Sequence, residues 1–151
     1  VHVDKMVDIT TEYSYFKKFL NEENVVPFRT EWQIFDPVLR IAGTIDFLGR
    51  NGNEFDLYDW KRSDKIDKYA TVWNYGINGL ESIPDTRYYH YCLQLNMYKY
   101  ILEKNYDIAI NKMYLVVLHP TYNTYQKIEV PSMDNAVHNI LKYYKTNLQN
   151  D

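Results

Sequence analysis

Asn51-Gly52 separates two runs of strand-forming residues, 41–50 and 53–60. Asn-Gly is a strong short-range signal for a two-residue type I′ turn, because both central residues of that turn adopt a positive φ. The pattern therefore predicts a β-hairpin at this place, and any fold proposed for the chain must contain an antiparallel pair of strands here.

The predicted hairpin collects three charged side chains on one face. With a two-residue turn, Arg50 pairs with Asn53, and the alternation of side chains along each strand then places Asp46, Asp59 and Lys61 together near the open end. Two adjacent carboxylates repel each other unless a cation neutralises them, and hard divalent cations prefer carboxylate oxygens. The pattern predicts a cation site; the alternative is a solvated strand face with a Lys-Asp ion pair.

Length and charge limit the classes of protein to which the chain can belong. Its 151 residues, 17% of them aromatic, are enough for one domain with a hydrophobic core and too few for two, so we expect a single domain over residues 1–151. Because the chain does not begin with Met, we expect this domain to come from a longer protein. The net charge of −3 means that any nucleic acid must be bound by a local basic patch or through metal ions.

The single cysteine, Cys92, excludes an intramolecular disulfide and a cysteine-rich zinc site, which favours a reducing, intracellular location. No run approaches the roughly 18 to 20 apolar residues that span a bilayer. The first residues also lack the pattern of a signal peptide. We therefore expect no membrane partner.

Hydrophobic periodicity predicts the other elements in the order α-β-β-β-α-β-β-α. Helices are predicted over residues 4–21, 86–105 and from 132 to about 148, and strands over residues 25–35, 112–119 and 124–130. The run 112–119 is almost continuously apolar, as expected of a strand that is buried on both faces. Residues 62–85 form a long connection, and loops of this length are usually functional or mobile.

A second turn is predicted at Asp36-Pro37, because proline cannot donate to a strand ladder and favours extended backbone before it. A two-residue turn at this position would place Glu31 opposite Ala42, on the same face as Asp46. Glu31 is therefore a candidate third acid; the alternative is a solvated strand residue.

Three motifs follow one another on these predicted elements: GTID at 43–46, YDWKRS at 58–63 and QLNMY at 94–98. Together they resemble the PD-(D/E)XK nuclease superfamily, and most closely its RecB-like branch with the pattern G-x-ϕ-D, D-x-K and Q-x-x-x-Y. The resemblance covers residues 25–119. It implies a restriction-endonuclease-like α/β fold, an αβββαβ core with a mixed central sheet flanked by helices.

The resemblance also implies a metal-dependent nuclease that hydrolyses phosphodiester bonds of nucleic acid, with DNA as the expected substrate. Asp46 and Asp59 would bind Mg²⁺ or Mn²⁺, and the main-chain carbonyl of Trp60 would be a further ligand. Lys61 would position or activate the attacking water. Such metal-assisted hydrolysis needs only one or two protein carboxylates, because Mg²⁺ keeps several of its waters.

Four other residues receive roles by the same resemblance, each with a plainer alternative. Gln94 and Tyr98 would brace the site or contact the substrate backbone, although an exposed glutamine and a core tyrosine explain the pattern too. His2 is similar to the histidine that precedes the first helix of RecB-like nucleases, where it implies a metal ligand; here a frayed terminal histidine is the alternative. Some family members also have an acid on the first strand, which supports Glu31.

The long connection supplies candidate residues for binding nucleic acid. Its basic side chains follow Lys61 directly, and its aromatic rings could stack on unpaired bases. These candidates are Arg62, Lys65, Lys68, Trp73 and Tyr75. For the two aromatic residues, the alternative is a core or rim position.

Two rival functions predict different behaviour. The first is an inactive nuclease-fold module that docks a helicase or another domain of the parent protein, but such a copy has no chemical reason to retain Asp46, Asp59 and Lys61. The second is a structural domain with coincidental acids, which predicts no metal binding.

Overall fold

The structure is a computed structural model that describes residues 7–69 and 71–148. The helices are α1 (Thr10–Glu23), α2 (Arg87–Asn105) and α3 (Asp134–Leu148), and the strands are β1 (Val26–Asp36), β2 (Ile41–Asn51), β3 (Glu54–Lys61), β4 (Ile110–Val117) and β5 (Gln126–Glu129). Within the described residues, the five strands form one mixed sheet in the order β1-β2-β3-β4-β5, with β3 and β4 parallel and the other neighbours antiparallel. The predicted α/β class, with an αβββαβ order and a mixed sheet flanked by helices, is confirmed.

The sheet separates two hydrophobic cores. On one face, Leu57 of β3 packs in a core with Leu95 of α2. On the other face, the ring of Tyr58 packs edge-on against Phe19 of α1, with 5.4 Å between ring centroids. Because consecutive residues of a strand point to opposite faces, α1 and α2 cover opposite sides of β3.

Strand β2 changes face at Asp46. Ile45 packs into the core beneath α2 and Phe47 into the core beneath α1, although side chains two residues apart on a regular strand share a face. The Asp46 carboxylate is directed toward β3, where its Oδ2 accepts a hydrogen bond from the main-chain N–H of Trp60 over 2.9 Å. The last ladder pair between these strands joins Phe47 to Tyr58, so this bond continues the connection beyond the ladder.

The second hairpin has a different register from the predicted one. The pairing of Arg50 with Asn53 is wrong, because Asn51 pairs with Glu54. Of the two residues in the turn, the first is Gly52 with a φ of 63°, and glycine at this position is typical of a type II′ turn. The register differs from the predicted one by two residues, so each residue of the ladder keeps its predicted face. The two aspartates lie beyond the last ladder pair, where the hydrogen bond from the Trp60 N–H holds Asp46 beside β3.

The first hairpin turn has four residues instead of the predicted two, because Asp36 pairs with Ile41. The buried Asp36 carboxylate determines this length. Its Oδ1 accepts hydrogen bonds from the main-chain N–H groups of Val38 and Leu39, each over 2.9 Å, and its Oδ2 binds the ammonium of Lys104 on α2 over 2.7 Å.

Helix α1 begins at Thr10, later than predicted, and residues 4–6 of the predicted helix lie outside the described residues. The Asp8 carboxylate accepts hydrogen bonds from the N–H and the hydroxyl of Thr10, over 2.9 and 2.6 Å, which holds a turn immediately before the helix. Among the described helices, none is both long and apolar enough to cross a bilayer.

Candidate active site

Asp46, Asp59 and Lys61 meet where β2 and β3 diverge, on the face covered by α2. Asp59 is 5% exposed, and the Lys61 Nζ lies 2.6 Å from its Oδ2. The two groups form a buried ion pair, and no other described residue donates a hydrogen bond to this oxygen.

The electrostatic environment of Asp59 disfavours its ionised form. Burial raises the pKa of Asp59, the Lys61 ammonium opposes that shift, and the nearby Asp46 carboxylate adds to it. Two carboxylates and one ammonium leave a formal charge of −1 when all three are ionised. The site therefore has a net negative charge.

The main chain around Trp60 holds β3 in place for these side chains. Its N–H donates to Asp46 as described above, and its indole ring packs edge-on against Phe16 and Phe19 of α1, with centroids 5.2 and 5.3 Å apart. The predicted role of the Trp60 carbonyl as a metal ligand stays a prediction.

Gln94 and Tyr98 lie on the face of α2 that is turned toward the site. The Gln94 Nε2 donates a hydrogen bond to the Tyr98 hydroxyl over 3.0 Å. Burial raises the pKa of the Tyr98 phenol, and the Asp59 and Asp46 carboxylates contribute to the same shift, so this hydroxyl lies near both acids and stays protonated at neutral pH.

The Tyr98 ring approaches β2 closely at Gly43, the first residue of the GTID motif. A Cβ atom at this position would lie 2.3 Å from Cε1 and 2.9 Å from Cζ of the ring. No side chain fits there, so glycine is the residue that lets the helix bring this tyrosine over the strand.

Tyr91, on the same helix, was not singled out from the sequence. Its ring faces the Lys61 ammonium, with 4.1 Å between Nζ and the ring centroid. The signal that could have found it is its spacing, since it precedes Gln94 by three residues and Tyr98 by seven and therefore shares their helix face.

The donor set fits a hard divalent cation. The two neighbouring carboxylates, one of them buried, carry a net negative charge with Lys61 that a cation preferring oxygen ligands would compensate. Among residues 7–69 and 71–148, no group of three or more His, Cys, Asp or Glu side chains gathers as a metal-binding cluster. Asp46 and Asp59 are the two acids that would hold such an ion.

Of the two additional ligand candidates, the structure describes Glu31 alone. Glu31 does not lie opposite Ala42, as predicted, because Ala42 pairs with Phe35. In the register of the pairs on either side of it, Glu31 comes opposite Asp46, but its φ is 48° and its side chain is exposed. His2 lies outside the described residues.

The predicted nucleic-acid-binding residues lie along the chain that leaves β3. The Arg62 Nε binds the Glu12 carboxylate of α1 over 2.6 Å, which compensates its charge, whereas Lys65 and Lys68 are exposed. Trp73 and Tyr75 are 86% and 55% exposed, so neither occupies a core position.

A cleft of about 770 Å³ opens between this segment and the beginning of α2. Its lining includes Lys65, Arg87 and Tyr122, and an Arg87 Nη1 hydrogen bond to Ser63 Oγ over 3.2 Å joins the helix to the segment two residues after Lys61. The cleft is thus continuous along the chain with the end of β3.

No protein-family model and no curated protein matches the chain. Among solved structures, the chain is similar to the crystal structure of SSO0001, with a TM-score of 0.51 and 16% sequence identity over 93% of this chain. It spans 57% of the length of that protein. At this identity the likeness concerns the fold alone, and it agrees with the α/β architecture described above.

Proposed function

We propose that the chain is a metal-dependent nuclease that hydrolyses phosphodiester bonds, with DNA as its substrate. The observation that carries this proposal is the buried Asp59 carboxylate, which adjoins both Asp46 and the Lys61 ammonium. Two of the three motifs that resemble RecB-like nucleases, GTID and YDWKRS, contribute these three side chains.

Hydrolysis of a phosphodiester needs a nucleophile at neutral pH and compensation of the charge that develops on the phosphate oxygens. Mg²⁺ or Mn²⁺, held by Asp46 and Asp59, would supply an acidified water and positive charge. Lys61 adds an ammonium beside these acids, where it can orient the attacking water or donate hydrogen bonds to the phosphate.

Gln94 and Tyr98 suit the positioning of a substrate strand. The Tyr98 hydroxyl accepts a hydrogen bond from Gln94 and retains its own proton, which it can donate to a phosphate oxygen or to a site residue. Positioning of this kind matters because a misplacement of ~1 Å can cost on the order of a hundredfold in rate.

The substrate would continue along the segment after β3. Lys65 and Lys68 are exposed cations there, Arg62 retains further N–H donors beyond its bond to Glu12, and the exposed rings of Trp73 and Tyr75 suit stacking on unpaired bases. This local patch is the kind that a chain of net charge −3 needs in order to bind nucleic acid.

A second candidate is an inactive module of the same fold that docks a helicase or another domain of a longer protein. The observation that favours it is the exposure of Trp73, Tyr75 and Ile77 within one loop, because exposed apolar groups in proximity often mark protein interfaces. The single buried cysteine, Cys92, suits an intracellular setting for either function.

Incubation with labelled single- and double-stranded DNA and RNA, in Mg²⁺, Mn²⁺ or EDTA, separates the two candidates. The nuclease should cleave DNA with either metal but not in EDTA, and Asp46→Asn should abolish cleavage by removing one of the two acids. The absence of metal-dependent cleavage of every substrate would overturn the proposal and leave the docking module.

A further inference from the structure

We infer that Tyr91 is a positioning residue, whose ring face holds the Lys61 ammonium in the orientation that the reaction uses. The inference rests on the proposed function of the site, and it assigns a role to a residue outside the three motifs. It begins from the 4.1 Å between the Lys61 Nζ and the centroid of the Tyr91 ring.

The ammonium of Lys61 has two neighbours that restrain it differently. The Asp59 Oδ2, at 2.6 Å, attracts the charge as the partner of an ion pair. The Tyr91 ring attracts the same charge through its electron-rich face. Only 18% of the Lys61 side chain is exposed, so water competes weakly with either contact.

A lysine needs such a second restraint because four rotatable bonds separate its charge from the main chain. The Lys61 main chain is itself held, since its carbonyl accepts a hydrogen bond from the Leu118 N–H over 2.9 Å. The ring therefore acts on the remaining freedom, that of the side chain. Without it, the ammonium is restrained by Asp59 alone and can turn away from a water or phosphate.

The position of Tyr91 on α2 links this restraint to the other site residues. Spacings of three and seven residues place Tyr91, Gln94 and Tyr98 on one helix face. The same rigid helix thus sets the ammonium, through the Tyr91 ring, relative to the hydroxyl and the amide that would contact the substrate.

The ring and not the hydroxyl carries this role, which makes the inference testable by substitution. Tyr91→Leu removes the ring and keeps an apolar side chain with good helix propensity, whereas Tyr91→Phe keeps the ring. Tyr89→Leu is the matched control, because Tyr89 is a similarly half-buried tyrosine of α2 whose ring packs edge-on against Tyr88 at 5.0 Å.

In steady-state cleavage of DNA, Tyr91→Leu should lower kcat by on the order of tenfold with little change in KM, because the lost contact acts on the transition state. Tyr91→Phe should restore most of the rate, and Tyr89→Leu should resemble wild type. In a Lys61→Ala background, Tyr91→Leu should cause no further loss. A wild-type rate for Tyr91→Leu, or an equal loss with and without Lys61, would overturn the inference.

A structural measurement keeps this test separate from the proposed function. The Lys61 Cε protons, which lie near the ring face, should show an upfield ring-current shift in NMR spectra of wild type and Tyr91→Phe, and this shift should disappear in Tyr91→Leu. An unchanged lysine signal in Tyr91→Leu would overturn the inference even if the protein cleaves DNA. A lost shift in a protein that cleaves no nucleic acid would support the restraint and overturn the nuclease proposal alone.

Discussion

Gly43 contributes to the site through its small size. The Tyr98 ring occupies the volume that any side chain at position 43 would need. The resemblance to RecB-like nucleases includes this glycine, and the structure supplies its physical reason. The close approach joins β2 to α2 at the point where the two acids and the tyrosine meet.

Gly43→Ala should displace the Tyr98 ring and lower both activity and stability. Overpacking of this kind typically costs about 1 to 3 kcal/mol, and the ring must move because the added Cβ would lie 2.3 Å from Cε1. Urea unfolding and DNA cleavage measure the two effects, and Ala42→Ser, at the exposed neighbouring position, is the control. If Gly43→Ala unfolds and cleaves like wild type, the ring does not depend on this glycine.

In the proposed function, α2 contributes the residues that would orient the substrate, and β2 and β3 contribute the acids that would bind the metal. This division predicts that substitutions on α2 change rates without changing metal affinity. The hydrogen bond between Gln94 and Tyr98, at 3.0 Å, is the contact to remove first.

Gln94→Ala should lower the cleavage rate while Mn²⁺ affinity stays at the wild-type value. Tyr98→Phe should cost little stability, because the ring over Gly43 remains and only the hydroxyl is lost. Kinetics and calorimetry on the same preparations measure both quantities. Wild-type rates for both variants would show that Gln94 and Tyr98 belong to an ordinary half-buried helix face without a role in cleavage.

The turn between β1 and β2 depends on the buried carboxylate of Asp36. Burial raises the pKa of Asp36. The Lys104 ammonium and hydrogen bonds from Leu39 and Asn105 outweigh this effect and lower the pKa to about 2. Because the folded value lies below the ordinary value of 3.8, this carboxylate contributes stability above pH 3.8, and the contribution is lost as the pH falls toward 2.

Asp36→Asn should therefore destabilise the protein at neutral pH by roughly 1 to 3 kcal/mol, the usual cost of losing a hydrogen-bonded charge pair. The difference from wild type should shrink below pH 3.8 and nearly vanish near pH 2. Urea unfolding across this range measures it. A difference that is constant with pH would show that the charge of Asp36 does not stabilise the turn.

The sequence predicted which segments form the sheet, because Asn51-Gly52 and the apolar run of β4 are local signals. It did not predict the registers. The register of β2 with β3 depends on the position of Gly52 within its turn. The register of β1 with β2 depends on the turn at Asp36, whose carboxylate pairs with Lys104, a residue distant in sequence. The contact of Tyr91 with a lysine also depends on how α2 packs, and no local pattern contains that information.

In the whole molecule, the site lies between α1 and α2, which contact it in different ways. Helix α1 supports β3 from behind, through Phe19 packed on Tyr58 and through Glu12 bound to Arg62. Helix α2 covers the acids from the front. The site is thereby held in a partly buried position. Its two carboxylates concentrate negative charge there, in a chain whose net charge is also negative, and this favours the binding of a cation.

Calorimetric titration of Mn²⁺ into wild type and Asp46→Asn tests the metal site most directly. Asp56→Asn is the control, because Asp56 is also a buried aspartate of β3, but its Oδ1 accepts a hydrogen bond from the Lys112 N–H. We predict a binding heat for wild type and Asp56→Asn, and an affinity at least ~10-fold weaker for Asp46→Asn. No binding heat in wild type, or an undiminished affinity in Asp46→Asn, would contradict the assignment of Asp46 and Asp59 as the metal-binding pair.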